Sequence, residues 1–261
     1  MSLCQEPETK RSAEDAPRIS HGGAEVQQFA NLGSFAEHML VHEHAVAKIR
    51  EDMPLDRAAL IGCGVTTGVG AVIHTAKVEP GATVAVIGCG GVGLSCINGA
   101  AIAGASRVIA VDMVPSKLEL ARKFGATDVV NAGEGDPIEQ VKELTGGGVH
   151  YSFEAIGLKI TAEQAFGMLR NGGTATVIGM IPPGHMVSLH GPDFLFEKKI
   201  QGSFMGSNRF RVDMPRFVEL YLQGKLHLDD LVSSHIKLSD INDAFKALET
   251  GEIARNVIMF D

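Results

Sequence analysis

The strongest constraint on the fold is an alternation of short apolar runs with helix-like segments between Thr83 and Phe204. Residues 83–87 form an apolar run that ends in glycines. Residues 92–104 are helix-like, and 107–111 form a second apolar run ending at Asp112. A helix is predicted at 116–124, stopped by Gly125, then a strand at 128–130 and a helix at 137–144. Strands at 150–154 and 174–179 flank a helix near 161–169, and 199–204 is the last strand candidate. Strand–helix alternation with short connections predicts an α/β fold, a parallel sheet with helices on both faces. Six strands in two halves suit the doubly wound Rossmann order 3-2-1-4-5-6, with a ligand at the carboxyl ends of the strands.

One stretch gives that ligand a chemistry. Thr83-Val-Ala-Val-Ile-Gly-Cys-Gly-Gly-Val-Gly93 places Gly88, Gly90 and Gly93 in a G-x-G-x-x-G pattern between a strand and a helix. Gly88 permits a tight turn, Gly90 lets the backbone approach a pyrophosphate, and Gly93 lets the helix pack on the strand. Gly91 and Val92 complete the run, whose N–H groups face the phosphates at a helix start. Asp112 ends the next strand nineteen residues beyond Gly93, close to the expected spacing of about 20. A carboxylate there accepts from ribose hydroxyls and repels a 2′-phosphate, which favours NAD over NADP; Lys117 reaches the ribose edge. The plain reading is a glycine-rich turn without ligand. An adenosine-binding methyltransferase is a nearer rival, and the third glycine and helix-opening position favour the dinucleotide.

Outside this core the chain reads differently. Residues 5–23 are polar and weakly patterned and read as loop. Residues 33–49 look like strand and turn, 212–222 and 240–248 like helices, and 256–260 like a closing strand. The net charge of −8 argues against nucleic acid or an anionic membrane as partner. No apolar run is long and uninterrupted enough for a membrane span. The four cysteines, Cys4, Cys63, Cys89 and Cys96, lack disulfide-framework spacing, which together with the absence of a secretory h-region points to a reducing cytoplasm. Cys63 sits between glycines in Leu60-Ile-Gly-Cys-Gly-Val-Thr-Thr-Gly-Val-Gly70, as a metal ligand, a nucleophile or the filling of a tight turn. His42-Glu-His44 has i, i+2 spacing and reads as a solvated edge with a minor metal-binding alternative. Cys89 and Cys96 read as packing residues, Glu154 as a hydrogen-bonding residue at a strand end, and Lys198-Lys199 as solvated.

Together these motifs resemble a family. Gly62-Cys-Gly-Val-Thr-Thr-Gly-Val-Gly70, Val78-Glu-Pro-Gly81, the glycine fingerprint with Val111-Asp112, and Phe124-Gly-Ala-Thr127 look like the zinc-dependent medium-chain alcohol dehydrogenases. So do Phe153-Glu-Ala-Ile-Gly157, Ile200-Gln-Gly-Ser203 and Gly251-Glu-Ile-Ala-Arg255, and the closest branch is the class III, formaldehyde dehydrogenase-like one. The resemblance implies NAD-dependent, zinc-assisted oxidation of an alcohol or hydroxymethyl-thiol adduct. It implies that Cys63 is a catalytic-zinc ligand, that Thr67 and Val92 lie beside the nicotinamide, and that Asp112 and Lys117 meet the adenosine ribose. Ile156 becomes a wall of the adenosine site, Arg255 a pyrophosphate contact, and 199–205 a strand pairing with its twin in a homodimer.

The resemblance also implies departures. A catalytic zinc needs an earlier cysteine and the histidine of a Gly-His-Glu motif, and Leu3-Cys4-Gln5 looks like the last of four structural-zinc cysteines. The expectation is a chain that starts inside a mostly β, GroES-like catalytic domain (1–64), continues as the Rossmann domain (65–204) and ends in a segment returning to the first (205–261). It is expected to bind NAD without retaining zinc and to be inactive alone. The alternative is a silent dinucleotide-binding module, or a subunit that pairs with a full-length partner.

Overall fold

The computed structural model describes residues 18–28, 32–249 and 253–260. Most of the loop expected at 5–23 lies outside these residues. Its end is not loop, because Ile19–His21 (β1) pairs antiparallel with Ala24–Val26 (β2) around Gly22 and Gly23. Residues 33–49 carry no strand among the described residues. There Glu43–Ala45 is a 3-10 turn, in which His42 Nδ1 accepts from the His44 N–H at 3.1 Å.

Of the three sequence readings of Cys63, the tight turn does not hold for the glycine-rich run 60–70. That run lies inside one 22-residue helix, Leu55–Ala76 (α1), with wide π turns at Ile61–Val65 and Ala71–Ala76. Glycines and β-branched residues are poor helix formers, so packing holds this helix. Val69, Ala71 and Val72 are fully buried. A Cβ on Gly68 would stand 2.4 Å from the Val92 carbonyl oxygen, and one on Gly70 2.4 Å from that of Gly206. Only glycine lets these backbones touch. Against the sequence reading, α1 is long and apolar enough to cross a membrane by length and composition, but half of that window is buried in the fold. Its apolar surface serves as core.

Beyond α1 the expected alternation is present. The strands are Thr83–Ile87 (β3), Arg107–Asp112 (β4), Asp128–Asn131 (β5), Val149–Glu154 (β6), Leu169–Val177 (β7) and Lys199–Gly202 (β8). They form one parallel sheet in the order β5-β4-β3-β6-β7-β8, which is 3-2-1-4-5-6 counted from β3. Between them run Gly91–Ile102 (α2), Pro115–Lys123 (α3), Pro137–Thr145 (α4) and Lys159–Gly167 (α5). Alternate residues of a strand face opposite sides of a sheet, and β3 feeds two cores accordingly. Val84 and Val86 pack with Leu94 and Ile97 of α2 and with Val65 and Val72 of α1. Ala85 and Ile87 pack with Val141 of α4 and with Ala165 and Phe166 of α5. Lys198, expected in solvent, is largely covered. Its Nζ lies 5.8 Å from the Phe166 ring centroid and 3.6 Å from Asp193.

After β8 come Phe210–Leu222 (α6), Val232–Ile236 (β9), Ile241–Glu249 (α7) and Arg255–Ile258 (β10). β9 and β10 pair in parallel as a separate two-stranded sheet.

At the amino ends of the strands, His150 is caught between donors. Its Nδ1 faces the Thr83 N–H at 3.1 Å and Oγ1 at 2.8 Å, and its Nε2 faces Arg170 Nη1 at 3.0 Å. Burial, and then the Arg170 charge, hold its pKa below the usual imidazole value; Glu79 opposes them. The unfolded chain therefore takes up this proton first as pH falls. The stability His150 contributes is complete above about pH 6.5 and is lost as pH drops through its lower folded pKa. Urea unfolding at neutral pH and near pH 5.5 should show a loss of stability on acidification that is smaller in His150→Gln. An equal loss in the variant would refute the assignment.

Candidate dinucleotide site

The site sits where β3 and β4 end and α2 begins. The Gly88 N–H donates to the Val111 carbonyl at 2.8 Å, which extends the ladder by one residue before Gly88 turns the chain at φ 95°. A Cβ on Gly93 would stand 1.6 Å from the Gly88 carbonyl oxygen, so helix and turn meet backbone to backbone. Gly90 differs, because a Cβ there would meet nothing within 4 Å. Its missing side chain leaves open space before the first turn of α2. The N-cap residue, Gly90, supplies no side-chain cap, and the N–H groups of Gly91, Val92 and Gly93 have no intrahelical partner. Backbone donors and the helix dipole there suit an anion.

Asp112 ties the turn together. Its Oδ2 accepts from the Cys89 N–H at 2.8 Å, and its Oδ1 from the Val114 N–H at 3.0 Å. Both oxygens keep further acceptor capacity for a ribose. The Cys89 thiol is pushed up by burial and then by the Asp112 charge, while the Lys117 charge pulls it down. Cys89 and Cys96 are buried packing residues, as the sequence suggested.

Ile156 lies across the turn, where its Cγ1 would be 2.5 Å from a Cβ on Gly88. Glu154 holds it there. This carboxyl is fully buried, and its Oε1 accepts from the N–H groups of Ile156 at 2.9 Å and Gly157 at 2.7 Å and from Thr161 Oγ1 at 2.8 Å. Glu154 thus acts as the sequence suggested, with a specific task of shaping the loop that carries Ile156.

Arg255 comes from β10 in the other sheet, far away in sequence. Its guanidinium carbon would be 2.6 Å from a Cβ on Gly91, and Nη2 3.2 Å from one on Gly64. It therefore lies between the start of α2 and the α1 turn next to Cys63. Its Nη1 donates to the Ala254 carbonyl at 2.7 Å, and among the described residues it makes no ion pair. A half-buried cation at a helix N-terminus, with no counter-ion among the described residues, fits a bound phosphate. A nicotinamide dinucleotide fits this set of residues.

Zinc does not fit the described residues in the same way. Cys63 is exposed on the first π turn of α1, but no three His, Cys, Asp or Glu side chains converge among the described residues. A catalytic zinc takes three protein ligands. Cys4 lies outside the described residues. His42 and His44 stack edge to face at 4.9 Å, with the His42 Nδ1 already engaged. Thr67 lies one turn after Cys63, and its hydroxyl donates to Met205 Sδ at 3.7 Å. Val92 reaches the same place from α2, where its carbonyl faces Gly68. The structure thus gathers the fingerprint, Asp112, Ile156 and Arg255 around the start of α2, with Lys117 in the first turn of α3 after Asp112, and Cys63 and Thr67 on α1 beside Gly64 and Gly68, which face Arg255 and Val92. A separate cavity of about 420 Å³ is lined by Lys48, Ile49, Arg50, Pro215, Arg216 and Glu219. Arg50 there is already paired with Asp52 and Glu219.

The family model described as zinc-binding dehydrogenase matches residues 91–222, more than half of the chain. The chain belongs to the zinc-binding dehydrogenase family. It is 40% identical over 247 residues to alcohol dehydrogenase 1 of Pisum sativum, covering 94% of this chain and 65% of the relative. It is 41% identical over 240 residues to alcohol dehydrogenase-like 5 of Arabidopsis thaliana, covering 90% and 62%. The fold superposes on benzyl alcohol dehydrogenase from Acinetobacter calcoaceticus with a TM-score of 0.87 at 35% identity, covering 89% of this chain and 64% of that one. This zinc-binding dehydrogenase chain spans about two-thirds or slightly less of its relatives' length, 65% of the pea protein.

Proposed function

We propose that this chain binds NAD at the carboxyl ends of β3 and β4 and serves the oxidation of a small alcohol. The observation that carries the reading is Arg255, laid against Gly91 at the start of α2 and without a counter-ion among the described residues. In this reading Arg255 and the N–H groups of Gly91–Gly93 grip the pyrophosphate over Gly90. Asp112 and Lys117 hold the adenosine ribose, and Ile156 walls that side. Thr67 and Val92 flank the nicotinamide. Asp112 favours NAD over NADP, since a 2′-phosphate would meet its carboxylate.

Alcohol as the substrate class rests on the relatives' names. The class III motif resemblance adds hydroxymethyl-thiol adducts. Cys63 is the residue proposed for the metal, and one thiolate does not hold a catalytic zinc. The chemistry assigned to this chain is therefore cofactor binding and alignment. A homodimer through 199–205 is proposed because, among the described residues, β8 pairs with β7 alone and has no strand on its outer edge. A reducing, cytoplasmic setting suits the unpaired Cys63, Cys89 and Cys96.

The second reading is a silent dinucleotide-binding module, or a subunit that works with a longer partner. Cys63 standing without converging ligands among the described residues favours it. Well under one zinc per purified chain is expected, and about one per chain would overturn the reading that Cys63 lacks companion ligands. The cofactor assignment itself is tested by thermal melting. NAD at a hundred times its dissociation constant should stabilise by about 2.7 kcal/mol, and NADP at the same concentration much less. Equal stabilisation by both would refute the role of Asp112.

A further inference from the structure

The pairing of β9 with β10 contains an irregularity that bears on Arg255. Arg255 pairs with Val232 and Asn256 with Ser234, so Ser233 is an extra residue in β9. Bulges in parallel pairs are rare, and bulges re-aim side chains next to functional sites. Here the bulge turns the Ser233 hydroxyl onto the opposite strand, where Oγ accepts from the Ala254 N–H at 3.0 Å and the Arg255 N–H at 3.4 Å. The peptide between Ala254 and Arg255 is thus held on both sides. Its N–H meets Ser233, and its carbonyl receives the Arg255 guanidinium at 2.7 Å. The direction of that carbonyl fixes where the guanidinium lies beside Gly64 and Gly91.

We infer that Ser233 is a positioning residue for Arg255, setting the guanidinium at the pyrophosphate end of the cleft. The inference rests on the NAD reading above and adds a residue to it. Ser233 touches no part of the fingerprint itself; it acts through one peptide plane. It is exposed, so removing its hydroxyl leaves two N–H groups that water can reach, and the fold should survive.

The test compares NAD, ADP-ribose and adenosine by titration calorimetry, with wild type, Ser233→Ala, Ser233→Thr, Arg255→Ala and the Ser233→Ala/Arg255→Ala double variant. Wild type should bind NAD and ADP-ribose. Failure there would overturn the NAD reading, and this inference with it. With that reading intact, Ser233→Ala should weaken NAD and ADP-ribose roughly threefold to tenfold and leave adenosine unchanged. Ser233→Thr, which keeps the hydroxyl, should restore binding. In the Arg255→Ala background the serine change should add nothing, because the two act as one unit. The inference is overturned, with the NAD reading left standing, if Ser233→Ala binds NAD like wild type, weakens adenosine equally, or adds a further loss on top of Arg255→Ala.

Discussion

Replacing Arg255 with alanine is expected to weaken NAD binding by about tenfold to a hundredfold while leaving the fold intact. A hydrogen bond to a charged partner contributes about 1.5–3 kcal/mol, and the arginine–phosphate fork is among the stronger cases. Two features place Arg255 in this range. Its guanidinium is half-buried between α1 and α2, so it is shielded from salt better than a surface charge. It also makes no ion pair among the described residues, none of which therefore competes with a phosphate for it. Fluorescence titration with NADH measures the effect, and melting checks the fold. Affinity within a factor of two of wild type would remove Arg255 from the site.

The second large effect separates two glycines three residues apart. Gly93→Ala forces a Cβ to 1.6 Å from the Gly88 carbonyl oxygen and 2.8 Å from its carbon. Both are backbone atoms, so no side chain can swing aside. The helix must lift from the turn, yet α2 is pinned on its other face, where Gly68 meets Val92 and Gly99 meets Val69. Overpacking of this kind costs about 3 kcal/mol or more, which lowers Tm by roughly 6–12 °C in a chain of this size. Gly90→Ala should behave in the opposite way. Its Cβ meets nothing within 4 Å, so stability should hold, while NAD binding falls because the methyl group enters the pyrophosphate's space. Similar losses of Tm in both variants would contradict the division of labour between the two positions.

That division was largely legible in the sequence, because a strand, a turn and a helix start are local events written in consecutive residues. Asp112 was legible for the same reason, at the end of the next apolar run. The strand order followed from alternation and handedness. The helix through Cys63 was not legible. Gly62, Gly64, Gly68 and Gly70 argue for a turn on propensity, and what makes them helical is close approach to Val92 and Gly206, contacts that no local pattern records. The same holds for residues 33–49, where apolar and polar residues suggested a strand and the backbone runs without one. Arg255 was reached only through family resemblance, since its partners Gly64 and Gly91 lie far away in sequence. Ser233 gave no signal at all, because a bulge in a parallel pair depends on how two separate strands meet. Glu154 stood within a recognisable motif, but its task of shaping the Ile156 loop required the hydrogen bonds.

A nicotinamide dinucleotide is proposed to lie between Gly88–Gly93, Asp112 and Arg255. The most direct measurement is a calorimetric titration of the chain with NAD, repeated with ADP-ribose present as a competitor. Saturable binding of one NAD per chain is expected, with the apparent affinity lowered in proportion to the competitor, because both ligands present the same pyrophosphate to the same arginine. No binding heat and no rise in Tm at millimolar NAD would contradict it.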